Sequence, residues 1–134
     1  MNLATFWVEG KGVALERVVR SLGIEVDRQW RAGDQTRSGK IRDSDGFSCT
    51  VADDATPREL EESLHKFSDQ CAQAELNFRS LDLSAALSLG VSVGDDQQFI
   101  VSLDLSANLL AALGQLGVAL QVNAYPTSDS ANAT

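Results

Sequence analysis

Thr56, Pro57, Arg58 and Glu59 combine a capping hydroxyl, a proline suited to the first helical position and a glutamate placed to complete a capping box. Leu60, Leu64, Phe67, Cys71, Ala74, Phe78 and Leu81 follow at spacings of four and three. Such spacing keeps them on one helical face for up to about seven turns, with a charged and solvated face opposite. A helix that long with one apolar stripe must lie on a partner layer, and the flanking sequence supplies strands.

Leu3 to Val8 is apolar and aromatic and predicts a strand, and Glu9 to Gly12 a turn. From Ala14, Leu15, Val18, Val19 and Leu22 draw a helical stripe that Gly23 terminates. A short strand is expected within residues 24–31, with Ile24, Val26 and Trp30 inward. A polar loop follows over residues 32–40, then a strand from Phe47 to Val51 after an Asp45, Gly46 turn. Leu87, Leu89, Val91 and Val93 alternate with Ser88, Gly90 and Ser92 as in a strand buried on one side. Gly94, Asp95 and Asp96 read as a turn and Phe99 to Leu103 as a strand pairing back across it. Leu105, Leu109, Leu110, Leu113 and Leu116 predict a third helix, capped by Asp104 or Ser106 and ended by Gly117. Val118, Leu120, Val122 and Ala124 close the pattern as a strand.

The expected fold is therefore a single α+β domain over residues 1–125, with helices on one face of a largely antiparallel sheet. The leading topology is a ferredoxin-like arrangement with an extra helix and strand. Residues 126–134 are small and polar and are expected to form a flexible tail. At 134 residues and 43% hydrophobic, the chain suits one core.

The charge is unevenly placed. Residues 1–52 carry eight basic and seven acidic side chains, whereas residues 53–134 carry three basic and twelve acidic, for a net charge of -8. No Lys or Arg follows Arg79. A surface built from the second half would repel phosphate backbones, which argues against nucleic acid as a partner. No apolar run approaches a bilayer's thickness and no basic region precedes one at the N-terminus, so a cytoplasmic protein without membrane contact is expected.

Leu22, Gly23, Ile24, Trp30, Gly33 and Asp34 resemble the L-G-I-x-P-x-x-x-W-x-x-G-D pattern of the bacterial family known as domain of unknown function 4279. The opening strand, the long helix from Thr56 and the closing Leu113, Leu116, Gly117, Leu120, Val122 and Tyr125 follow in the family's order. Val26 stands where the family usually has proline and Phe47 where it often has tryptophan; both stay apolar. The resemblance implies a bacterial or phage source and carries no established activity.

Candidate sites divide by chemistry. His65, the only histidine, falls beside the long helix's apolar stripe with Glu61 and Asp69 one turn away, and reads as a solvated helical side chain. Cys71 lies on the stripe and reads as core, while the facing of Cys49 is open. The two cysteines form no CxxC pair, so neither a metal site nor a cofactor is expected. Gly10, Lys11 and Gly12 lack the rest of a phosphate-binding motif. The acid pairs Asp53, Asp54 and Asp95, Asp96 suit turns and a helix start. Trp30, Gly33 and Asp34 form a latch or a ligand site. The basic stretch from Arg28 to Arg42 either binds an acidic partner or neutralises the domain's own surface.

No nucleophile, base and oxyanion set can be assembled, so a non-catalytic role is expected. The leading expectation is an immunity-type inhibitor that binds a basic toxin through Glu61, Glu62, Asp69, Asp95 and Asp96. The alternative is a small-molecule or regulatory sensor with a pocket near the Trp30 loop.

Overall fold

The computed structural model describes residues 1–94 and 100–126. The elements run β1 (Asn2–Gly10), α1 (Gly12–Leu22), β2 (Arg28–Trp30), β3 (Asp45–Asp54), α2 (Pro57–Gln73), β4 (Ser84–Val93), α3 (Ala107–Leu116) and β5 (Val118–Pro126). The five strands form one mixed, mostly antiparallel sheet in the order β2-β3-β1-β4-β5. β1 is flanked by antiparallel β3 and β4, β2 pairs antiparallel with β3, and β5 lies parallel to β4. The α+β class is the expected one.

β1 sets the layering because its side chains alternate between two environments. Ala4, Phe6 and Val8 are fully buried, whereas Leu3, Thr5, Trp7 and Glu9 are half-buried on the other face. Phe6 meets Phe47 of β3, Phe67 of α2 and Phe78 edge-on, at ring centroid distances of 6.4, 4.8 and 5.4 Å. Edge-to-face geometry sets the positive ring edge on the negative face and adds about 0.5–1.5 kcal/mol per pair beyond burial. The buried faces of α1, α2, α3, β1, β3 and β4 join this one core.

α2 starts where the sequence places it. Thr56 Oγ1 accepts from the Glu59 N–H at 3.2 Å, and the Glu59 carboxylate accepts from the Ala55 N–H at 3.1 Å, one residue upstream of the usual capping-box donor. Ser106 caps α3 by accepting from the Leu109 N–H, and Gly23 and Gly117 end α1 and α3 in left-handed geometry. α1 begins at Gly12, two residues earlier than its stripe suggests.

Three expectations are corrected. α2 stops at Gln73 instead of running to Leu81; Glu75 takes a φ of 56°, and the Leu76 N–H turns back to the Cys71 carbonyl. Leu76 and Phe78 stay buried in the connection that follows, so helical spacing continues there without a helix. β2 holds only Arg28–Trp30, with Ile24 and Val26 half-buried in the segment before it. Residues 100–103 are not a strand: Val101 and Leu103 pack on the core without pairing, which gives the same alternation. Phe99, Asp95 and Asp96 lie outside the described residues, as does the expected tail from Thr127 onward, while Pro126 ends β5.

A bulge in β3 was also invisible in the sequence. Ala4 pairs with Ala52 but Thr5 with Thr50, so Val51 is the extra residue and the inward set changes from Phe47 and Cys49 to Ala52. Replacing Phe6 by alanine removes the ring shared by three aromatic contacts and should cost about 3–5 kcal/mol. Urea unfolding monitored by circular dichroism checks this; a loss under about 1 kcal/mol would show that the aromatic cluster is not the centre of the core.

Candidate functional site

Trp30 is only 7% exposed, yet it lies on the sheet face opposite the helices. Its strand partner is Gly46, which in turn pairs with Glu9, and Glu9 shares the Trp7 face of β1. The Trp7 and Trp30 rings are 5.7 Å apart. The expected inward facing is thus corrected: Trp30 is buried by the loop above it and not by the main core. The Arg42 guanidinium sits 4.4 Å from the Trp30 ring centroid and 3.6 Å from the Glu9 carboxylate. The cation–π contact is worth about 0.5–2 kcal/mol, more than the half-exposed ion pair.

The loop that carries Arg42 is internally bonded. Asp34 accepts from the Arg31 N–H at 2.8 Å, Gly33 at φ 93° donates its N–H to the Arg42 carbonyl, and the Arg42 N–H returns to the Asp34 carbonyl. Gln35 and Ile41 form an antiparallel bridge beyond them. Asp45 joins the loop to α1: one carboxylate oxygen accepts from the Ala32 N–H at 2.8 Å, and the other lies 3.1 Å from where a Cβ on Gly12 would stand. α1 has no side-chain cap and no acid in its first turn, so Asp45 supplies the negative charge its N-terminus favours.

Between α1 and β2–β3 is a cleft of about 350 Å³. Leu15, Val19, Val26 and Phe47 give it apolar walls, Trp30 lines it, and Glu16, Arg20, Arg31 and Asp45 supply charge. The Trp30 Nε1–H is buried without a hydrogen-bond partner among the described residues. Such an orphaned donor costs about 1–3 kcal/mol.

The sequence pattern described as Domain of unknown function (DUF4279) matches residues 1–127. The chain belongs to this family. No curated protein and no solved structure matches it. The family motif therefore has a physical reading in this member: its tryptophan is the buried Trp30, its glycine the positive-φ Gly33, and its aspartate the Asp34 that closes the turn.

The acids singled out on α2 are not alike. Glu62 is exposed and lies 3.8 Å from Arg58, while Glu61 is half-buried and lies 3.8 Å from His65. His65 Nε2 also lies 3.4 Å from Ser106 Oγ, which brings α2 against the cap of α3. That contact ties His65 into a helix junction, where the sequence suggested only solvent. Asp69 is exposed, with Lys66 three residues before it on the same helix. Asp53 and Glu59, also exposed, and Asp54, which accepts from Ser63 at 2.8 Å, gather at the start of α2. This grouping follows the attraction of acids to a helix N-terminus, as the position of Asp53 and Asp54 just before Thr56 suggests in the sequence. No helix among the described residues is long and apolar enough to cross a membrane, and no group of metal-ligating side chains occurs among them.

Both cysteines are buried and free. Burial pushes the Cys71 thiol up to about 12; burial and then the nearby Asp27 carboxylate push Cys49 up to about 11, from the usual 9.0. At neutral pH both are thiols rather than thiolate nucleophiles.

Two outcomes follow. Folding stability should hold below pH 9 and fall from there toward pH 11–12, because the unfolded thiols ionise first and bind fewer protons. Melting scans across that range check it, and a thiol reagent at pH 8 should react with neither cysteine until denaturant is added. Separately, a Cβ on Gly46 would overlap the Trp30 indole. Gly46→Ala, in a Trp7→Phe background, should red-shift Trp30 emission and cost about 1–3 kcal/mol; an unshifted spectrum would mean that the indole does not rest on Gly46.

Proposed function

We propose that this domain is a non-catalytic, cytoplasmic protein-binding module, and specifically an immunity-type inhibitor that neutralises a basic toxin by covering it. The observation that carries this reading is the charge distribution: twelve of the nineteen acidic side chains follow residue 52, against three basic ones. Exposed Asp53, Glu59, Glu62 and Asp69 place part of that surplus on and beside α2. A negative field there steers a basic partner into encounter and suppresses acidic competitors. The two thiols held neutral by burial support a role without covalent chemistry.

The contact surface comprises Glu61, Glu62 and Asp69 of α2, with Asp95 and Asp96 of the chain that follows β4. Within it, Glu62 and Asp69 act mainly through encounter rate, because exposed rim charges contribute little to the bound state. Arg58 and Lys66 lie among them and moderate the field, so the sequence-level surplus overstates the charge on α2 itself.

A second reading rests on the cleft beside α1. Its apolar walls and its two arginines suit a small ligand that carries an anionic group. On the inhibitor reading, Trp30, Gly33 and Asp34 serve instead as a latch that holds the loop on the sheet.

Co-purification with the product of the adjacent gene tests the inhibitor reading. Reversing Glu62 and Asp69 to lysine, with Asp95 and Asp96, should slow association at least tenfold at low salt and flatten its salt dependence. Reversals at Arg37 and Lys40 should leave association unchanged or slightly faster. Loss of binding through the loop reversals alone would place the interface on the basic loop, and a melting-temperature rise with an anionic metabolite and no protein partner would favour the cleft.

A further inference from the structure

From Leu105 to Pro126 the chain carries no charged side chain, although 22% of its residues are charged. That stretch is α3 and β5, and β5 is an edge of the sheet nine residues long. Long uncharged edges are rare on monomers, because the outward N–H and C=O groups offer a template for another strand. Lysines, inward charges or a mid-strand proline normally blunt such an edge; β5 has only Pro126, its final residue. The opposite edge is protected: β2 has three residues, Arg28 among them, and runs directly into the Trp30 loop.

We propose that β5 pairs antiparallel with β5 of a second copy, so that two sheets continue as one ten-stranded sheet across a twofold axis. The occupant follows from the strand's self-complementarity. Centred on Val122, the pairing sets Val118 against Pro126, Ala119 against Tyr125, Leu120 against Ala124, Gln121 against Asn123 and Val122 against its own copy. Every pair is uncharged, so association proceeds here despite a net charge of -8 on each chain.

The register also preserves sidedness. Val118, Leu120 and Val122 pair with Ala85, Leu87 and Leu89 of β4 and so share the helix-covered face, while Gln121 and Asn123 pair with Ser88 and Gly90 on the open face. Across the axis each set meets its own kind, as an isologous interface requires. Both α3 helices then lie on one side of the joined sheet, and neither carries a charge. Val122 is 51% exposed, Leu110 46% and Tyr125 48%; these are the side chains the pairing would cover or approach. α2 and the cleft lie over β1–β3 and stay free, so this interface is independent of the ligand reading and of the α2 part of the inhibitor surface.

Sedimentation equilibrium on the full chain tests the proposal. A mass near twice 14.4 kDa is expected, falling to the single-chain value on dilution. Val122→Lys and Val122→Glu should each sediment as single chains with unchanged far-ultraviolet circular dichroism, since like charges meet on the axis, and mixing the two should restore the double mass. Amide exchange in β5 of the wild type should slow as concentration rises, a readout that does not depend on the variants folding. A wild type that stays at 14.4 kDa at millimolar concentration, variants that associate as the wild type does, or a β5 edge that binds only a foreign strand would overturn it.

Discussion

Phe6 is the contact on which the rest of the molecule depends. It sits on the central strand and, among the described residues, is the ring in edge contact with β3, with α2 and with the segment after α2. Because a buried aromatic side chain removes about 150–250 Å² from water, this position both anchors the core and sets the distance between sheet and α2. The phenylalanine at 47, where the family often carries tryptophan, fits that geometry: it meets Phe6 edge-on at 6.4 Å while leaving the cleft beside α1 open.

The two faces of the sheet are closed by different physics. The helix-covered face is closed by apolar burial over a contiguous core. The other face is open except near its β2 edge, where one tryptophan lies on a glycine and an arginine lies on the tryptophan. Glycine at 46 lets the indole lie against the backbone, and Glu9 offsets the cost of holding the guanidinium there. The basic stretch that stood out in the sequence thus includes one cation committed inside the molecule, while Arg37 and Lys40 at the loop's far end stay exposed.

Elements whose signals are local were legible in the sequence. The Thr56 and Ser106 caps, the Gly23 and Gly117 terminators and the alternation of β4 each depend on neighbouring residues only, and each appears where that chemistry puts it. Burial periodicity was less faithful, because it reports an apolar environment without reporting hydrogen bonding. Phe78 and Leu81 continue the α2 stripe outside any helix, and Val101 and Leu103 alternate outside any strand. The site was legible as residues but not as geometry. Trp30, Gly33 and Asp34 are marked by type, whereas the position of Trp30 above Gly46 depends on register with β3, and the role of Asp45 at α1 depends on a contact across the chain.

The same distinction governs the charges. A count along the chain assigns a negative second half, but the fold decides where those charges are stable. Asp53, Asp54 and Glu59 collect at the N-terminus of α2, where the helix dipole and the Ser63 and Ala55 donors favour them. Arg58 in the first turn lies 3.8 Å from Glu62, and Lys66 stands three residues before Asp69, so the field along α2 is weaker than the count of acids suggests. The uncharged run from Leu105 to Pro126 lies on α3 and β5, with β4 separating β5 from the central strand. Charge and its absence are therefore separated across the width of the sheet, which allows one edge to pair without bringing the acidic end of α2 against its own copy.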